Sequence, residues 1–384
     1  AEIEDASRGI PLGGERRQLA AGRGELIGPL HGVPMTIKDS FEVAGMRTTS
    51  GANLYRDHVP EADAIVSARL RAAGAIILGK TNVPAFCGDA QTYNALFGTT
   101  NNPWDVTRTP GGSSGGSAAA LAAGLTPLEV GSDIAGHKTT LGIIPTRGHI
   151  PGPPGSRSEG DMGVIGPLAR SADDLALLLD VLAGPPPERA KAFSLRLPAA
   201  RSHTLRGYRV AVLLDDASFP VEHAMRGCLE QALSTLRAQG VEMREDKPEL
   251  ELSEVYANYR RLLDPVMGAG FPVEQLAMVE QLQNNEQKLV PLITFAHNAL
   301  LRHREWLKSN EQRAQERLRW ERFFEDYDVL LTPVTITSAF VHDQSSPQPL
   351  RKLHVNGCER AYDDLYSWGS LATSAQLPAT VVPV

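Results

Sequence analysis

Cysteine is scarce in this chain. Cys87, Cys228 and Cys358 are the three in 384 residues, widely spaced and without a Cys-x-x-Cys pair. That usage suits a reducing cytoplasm, where the chain is expected to reside, and offers no cysteine-based zinc site. The histidines form no His-Glu-x-x-His motif, so neither a metal nor another cofactor is expected. Long apolar runs are missing as well: no stretch reaches the roughly 18 residues that would suggest a membrane span, and no signal-peptide pattern opens the chain. Positive charge is not in excess. With 38 Lys and Arg against 45 Asp and Glu, the net charge of −7 leaves no electrostatic footprint for nucleic acid.

What remains is a chain long enough to fold around a large core in one or two domains, with 42% hydrophobic and 22% charged residues. Its most informative stretch is Gly111-Gly112-Ser113-Ser114-Gly115-Gly116-Ser117. This run has almost no side-chain volume, so it cannot exist to pack a core. Glycine allows close backbone approach, and serine supplies hydroxyls that donate and accept. The helix-forming residues Ala118–Ala123 follow at once, which argues for a loop feeding a helix N-terminus rather than a linker.

Three readings of that loop compete. A phosphate-binding loop needs a lysine at its end, and Ser117-Ala118 supplies none. Gly112-Ser113-Ser114-Gly115-Gly116 fits the Gly-x-Ser-x-Gly nucleophile elbow, but the elbow must follow a buried strand. The preceding residues Asp105–Pro110 are polar and end in proline, so they read as loop. The third reading needs a partner base. Upstream, in Gly32-Val33-Pro34-Met35-Thr36-Ile37-Lys38-Asp39, alternation puts Val33, Met35 and Ile37 on one strand face and Thr36 and Lys38 on the other. A lone lysine at a strand end is ordinarily a solvated charge; its company here changes the case.

That company resembles the amidase signature family. The resemblance rests on Gly32-Val33-Pro34 with Lys38-Asp39, Gly79-Lys80-Thr81-Asn82, Phe97-Gly98-Thr99-Thr100-Asn101-Asn102-Pro103-Trp104, the serine–glycine run, Gly131–Gly136 and Gly166–Ser171, in the family's order. It returns at Leu330–Val334 and Leu377–Val381. It implies an α/β amidase-signature fold, a central mixed β-sheet covered by helices on both faces. One amidase domain over 1–384 is expected, with a signature core at about 28–184, a more variable helical region at about 205–326, and a return to the core at 327–384.

The resemblance also implies a Ser–Ser–Lys hydrolase that cuts C–N bonds of a small acyl or aryl amide through an acyl-enzyme. Lys38 matches the base and Ser113 the bridging serine, which in this family follows an unusual cis peptide. Lys38 must be neutral to act, which requires burial with no carboxylate in contact; alternation points the neighbouring Asp39 to the opposite face. Ile134, Ala135 and Gly136 match the backbone donors of the oxyanion hole, and Asp133 is read as orienting that turn. Cys87 matches a pocket-wall, substrate-binding position, and is equally readable as a small buried hydrophobe. Ser114 and Ser117 are read as shaping the loop.

One departure stands out. The family's nucleophilic serine directly follows the stretch matched by Gly131–Gly136, and His137 stands there. Two accounts fit the join at Gly136-His137: a true deletion, which leaves an inactive protein, or a segment missing from the sequence as numbered. The family's leading helical segment and its sheet after the Pro378 block are also unmatched. The expectation is therefore a missing segment, with a serine directly after Gly136 and His137 a bystander. Two other functions stay open: the glutaminase subunit of a tRNA-dependent amidotransferase, disfavoured by Ser132-Asp133-Ile134-Ala135 in place of Asp-Thr-Gly, and an inactive binding protein of the same fold. The expected partner is a small-molecule amide, with no nucleic acid and no membrane; a homodimer is left open.

Elsewhere, Ala75–Leu78 reads as a strand, Ser171–Ala183 as a serine-capped helix ended by Pro185-Pro186-Pro187, and Tyr208–Leu214, Val221–Gln239 and Val241 onward as a βαβ unit. Glu251–Asp326 reads as charged helix. Its Arg302, Arg304, Arg313, Arg317, Arg319 and Arg322 alternate with Glu305, Glu311, Glu316 and Glu321 in the manner of a solvated face.

Overall fold

A computed structural model describes residues 26–134, 139–150, 152–269, 290–345 and 348–384, together with 272, 274, 278 and 281. These fall into two compact units. The first holds the described residues of Ala1–Asp133, Lys138–Leu195 and Ala339–His342; the second holds those of Ile134–His137, Arg196–Ser338 and Asp343–Val384.

The first unit is organised by strand alternation. β1 (Pro34–Lys38) pairs in parallel with β2 (Ile76–Thr81) through the intervening helix α1 (Ile65–Ala72), with an irregularity between Met35 and Thr36. A short hairpin of β3 (Tyr93–Asn94) and β4 (Gly98–Thr99) precedes α2 (Gly115–Ala122). β5 (Leu128–Asp133) then pairs antiparallel with β6 (Val164–Ala169), and α3 (Ala172–Leu182) follows. The parallel β1–β2 ladder and the antiparallel β5–β6 ladder form separate two-stranded sheets in this unit.

Met35 and Ile37 of β1, Val130 of β5 and Ile165 of β6 share one buried cluster with Val66 and Leu70 of α1 and Leu178 and Leu182 of α3. The other face of β1 carries Thr36, whose hydroxyl donates to Glu129 of β5. Ser117 of α2 bonds Thr81 of β2 at 2.7 Å beside that pair. Helices therefore cover both faces. α3 starts where its sequence says: Ser171 Oγ accepts the Asp174 N–H at 3.1 Å, and Asp173 and Asp174 occupy the first turn.

α2 begins at Gly115, three residues before the alanine run that marks it in the sequence. The reason is close approach. A Cβ on Gly116 would lie 2.4 Å from the Asn82 nitrogen, and one on Gly115 would lie 2.3 Å from Thr92 Oγ1. The second half of the serine–glycine run is therefore helix pressed against β2 and β3, not loop.

In the second unit β7 (Val210–Val212) is the middle strand of a parallel sheet, flanked by β8 (Met243–Glu245) and β9 (Val329–Leu331). The amphipathic helix α4 (His223–Ala238) connects β7 to β8 and buries Leu233 against Val210, Val212 and Val241. Helices α5 (Leu252–Gly268), α6 (Val290–Ala299) and α7 (His303–Asp326) precede β9; a hairpin of β10 (Lys352–Val355) and β11 (Cys358–Ala361) and then α8 (Ser367–Ala375) follow it.

One expectation is corrected here. The charged face of α7 is not uniformly solvated. Arg313 and Glu316 are buried, and Glu316 accepts hydrogen bonds from Asn258 and Ser374 (3.2 and 2.8 Å). A buried carboxylate needs such partners, and a charge pattern alone does not reveal them.

Candidate active site

The site grows out of the end of β1. Alternation carries Lys38 to the face opposite Met35 and Ile37, and its side chain is fully buried. The amine reaches three oxygens: Ser113 Oγ at 2.6 Å, Ser132 Oγ at 2.9 Å and the Ser132 carbonyl at 3.2 Å. These partners are hydroxyls and a carbonyl, not carboxylates. Burial pushes the Lys38 pKa below its ordinary 10.5, opposed by the nearby Cys87 thiol and Asp133 carboxylate.

Asp39 does not cancel this effect. Its carboxylate accepts the Thr49 N–H at 3.2 Å and lies 3.7 Å from Lys80 Nζ. Lys80 is half-buried, with its pKa lowered to about 8 by desolvation, against the pull of Asp39. The two lysines thus divide the environment: Lys80 holds the carboxylate, and Lys38 meets hydroxyls.

Ser113 follows a cis Gly112–Ser113 peptide and is half-buried. Its neighbour Ser114 does something different. Ser114 Oγ donates to the Ser132 carbonyl at 3.0 Å and accepts the Ser132 N–H at 3.3 Å, tying the loop to β5. Cys87 ends a short helical turn at Ala85–Cys87, half-buried, 3.9 Å from Ser50 Oγ and close enough to Lys38 to perturb it. Ile134 belongs to the second unit, where its carbonyl accepts the Tyr259 hydroxyl at 3.3 Å. Ala135, Gly136 and position 137, where the nucleophilic serine was expected, lie outside the described residues.

The structure adds two residues that the sequence did not single out. Ser132, at the end of β5, places both its carbonyl and its hydroxyl on Lys38. His149 Nε2 lies 2.7 Å from Ser132 Oγ, and its ring packs against Phe41 at 5.0 Å. Burial, then the Lys38 charge, lowers the His149 pKa to about 3, so the ring is neutral. Ser132 had little signal, being one of three polar side chains in β5 with Glu129 and Asp133. His149 had none, since a turn through Gly148 brings it in. There a Cβ would sit 2.5 Å from the Ala64 Cα, and φ is +83°.

The family model described as Amidase matches residues 15–384, which is nearly the whole chain. The chain belongs to the amidase signature family. A glutamyl-tRNA(Gln) amidotransferase subunit from Streptomyces coelicolor is 32% identical over 361 residues, covering 85% of this chain and 72% of that protein. Among solved structures, a chain of a vestigial protein complex, described as revealing the origins of an s-triazine catabolic enzyme, aligns with TM-score 0.75 and 27% identity. It covers 94% of this amidase-family chain and 79% of its own. The peptide amidase of Stenotrophomonas maltophilia shares the fold at TM-score 0.70 and 24% identity, over 97% of this chain and 79% of that one. Among the described residues no group of three or more His, Cys, Asp or Glu could hold a metal ion, and no helix is long and apolar enough to cross a membrane.

Proposed function

We propose that this amidase-family chain hydrolyses the C–N bond of a small acyl or aryl amide, with Lys38 as the base and Ser113 as the hydroxyl on which it acts. The observation that carries this is the 2.6 Å contact between Ser113 Oγ and a fully buried amine that burial holds toward its neutral form. A neutral amine within hydrogen-bond reach of a hydroxyl is the geometry of general-base catalysis.

Ser113 is the bridging hydroxyl through which Lys38 reaches the nucleophilic serine expected directly after Gly136, and the acyl group is assigned to that serine's oxygen. That serine's oxygen attacks the amide carbonyl, its proton passing to Ser113 Oγ as the Ser113 proton passes to Lys38 Nζ. The resulting ammonium returns that proton to the leaving amine nitrogen as the C–N bond breaks. Water then cleaves the ester, with Lys38 again the base. Ile134, Ala135 and Gly136 are retained as the oxyanion donors on the strength of the family resemblance, and Cys87 as a wall of the acyl pocket.

A second reading, a glutaminase acting within an amidotransferase, is supported by the name of the Streptomyces coelicolor relative. One assay tests both. Wild type and Lys38→Ala are compared on a panel of aryl and alkyl amides and on glutamine, with ammonia or amine release measured. The proposal expects turnover of an aryl or acyl amide that Lys38→Ala abolishes. Turnover confined to glutamine favours the second reading, and no turnover on any amide overturns both.

A further inference from the structure

The hydrogen bonds around Lys38 can be assigned hydrogen by hydrogen. A neutral amine has two N–H groups and one lone pair; an ammonium has three N–H groups and none. Of the three oxygens around Nζ, the Ser132 carbonyl can only accept. Ser132 Oγ has a single hydrogen and two possible takers, His149 Nε2 at 2.7 Å and the amine at 2.9 Å. If that hydrogen goes to His149, Ser132 Oγ faces Lys38 purely as an acceptor. Both N–H groups of the neutral amine are then committed to Ser132, and the lone pair is left for Ser113. If it goes to Lys38 instead, the lone pair is occupied by the wrong hydroxyl. The Cys87 thiol, a weak donor, competes only weakly.

From this geometry, and resting on the base role given above to Lys38, we infer that His149 is a positioning residue. Its Nε2 takes the Ser132 hydroxyl proton and so turns the lone pair of Lys38 toward Ser113. The arrangement survives proton transfer. Once Lys38 is an ammonium, its three N–H groups meet Ser113 Oγ, Ser132 Oγ and the Ser132 carbonyl, and Ser132 still donates to His149. No hydroxyl has to reorient between the two states, which is what a preorganised site provides. A protonated His149 could not serve, having no acceptor; its burial and the Lys38 charge both oppose that form. The ring is held for the task by its packing on Phe41 and by the backbone bridge between Phe41 and His149.

Two readouts test this. ¹⁵N-histidine NMR of the wild-type chain, with His149 assigned by its loss in His149→Phe, reports the tautomer without any need for activity. The expected spectrum has an unprotonated, acceptor-type Nε2 that does not titrate between about pH 5 and pH 8, where an ordinary histidine does. An Nε2–H, or a titration in that range, overturns the inference even if the chain cleaves amides.

The second readout is kinetic. His149→Phe keeps a ring against Phe41 but has no acceptor, and should lower kcat roughly 100-fold with little change in KM. His149→Gln, which restores an acceptor oxygen, should recover part of that loss. Adding Ser132→Ala to His149→Phe should also recover activity, because the competing hydroxyl is gone. A structural role for His149 would make the double variant worse, and that result, or an unimpaired His149→Phe, would sink the idea. If wild type proves inactive on every amide, the hydrolase assignment fails, while the NMR arm still decides the hydrogen-bond direction.

Discussion

At the scale of single residues, the account turns on what burial does to an amine. Lys38 titrates below 10.5 because its charged form is desolvated. Protonation below its own pKa removes the base, so kcat/KM should rise with pH along one limb whose midpoint lies under the free-lysine value. A flat profile, or a midpoint at that value, would place Lys38 in solvent instead. Ser114 offers a contrast at the same scale. Its hydroxyl bonds the main chain of Ser132 but does not carry the reacting proton, so Ser114→Ala should cost roughly 0.5–1.5 kcal/mol of stability with a modest loss of turnover. Ser113→Ala should leave stability nearly unchanged and remove most turnover. Denaturant melts and kcat/KM for the two variants decide it, and the opposite order of kinetic losses would restore the nucleophile-elbow reading with Ser114 as attacker.

At the scale of elements, the contact between β1, β5 and α2 sets a pH dependence of its own. Glu129 is buried between these elements, with its pKa raised to about 7 by desolvation despite hydrogen bonds from Thr36, Ser117 and Thr81. A carboxyl with a raised folded pKa stabilises most when protonated. That contribution is fully present below the ordinary value of 4.5 and is lost as pH rises through about 7. Glu129→Gln should therefore match wild type in urea melts near pH 4 and exceed it near pH 8, by up to ~3 kcal/mol. Equal stability at both pH values would mean the carboxyl is solvated. For α3 the expectation is simpler: Ser171→Ala removes the cap on the Asp174 N–H and should cost ~1 kcal/mol in the same melts.

Much at this scale was legible in the sequence. Alternation located Lys38 on the polar face of β1, and the serine cap located α3. The buried pair Arg313 and Glu316 was not legible, because the hydroxyl and amide that satisfy Glu316 come from α8 and α5, distant in sequence. The early start of α2 was hidden for a related reason, since glycine helix turns are read as loop until the neighbours that exclude a Cβ are known.

At the scale of the whole molecule, the family is carried by ordered blocks spread along the chain, and the family match runs across both compact units. Lys38 and the serine beside it were legible because their motifs are unusual and short. The hydroxyl and imidazole completing the network were not, because Ser132 and His149 come together only when β5 and the turn at Gly148 are in place. The central claim is that Lys38, acting through Ser113, activates a nucleophilic serine directly after Gly136. Its most direct test is intact-mass and peptide mass spectrometry after incubation with a fluorophosphonate. The account predicts one adduct, on a serine directly after Gly136, in wild type and none in Lys38→Ala or Ser113→Ala. An unmodified wild-type chain, or an adduct on Ser113 itself, would contradict it.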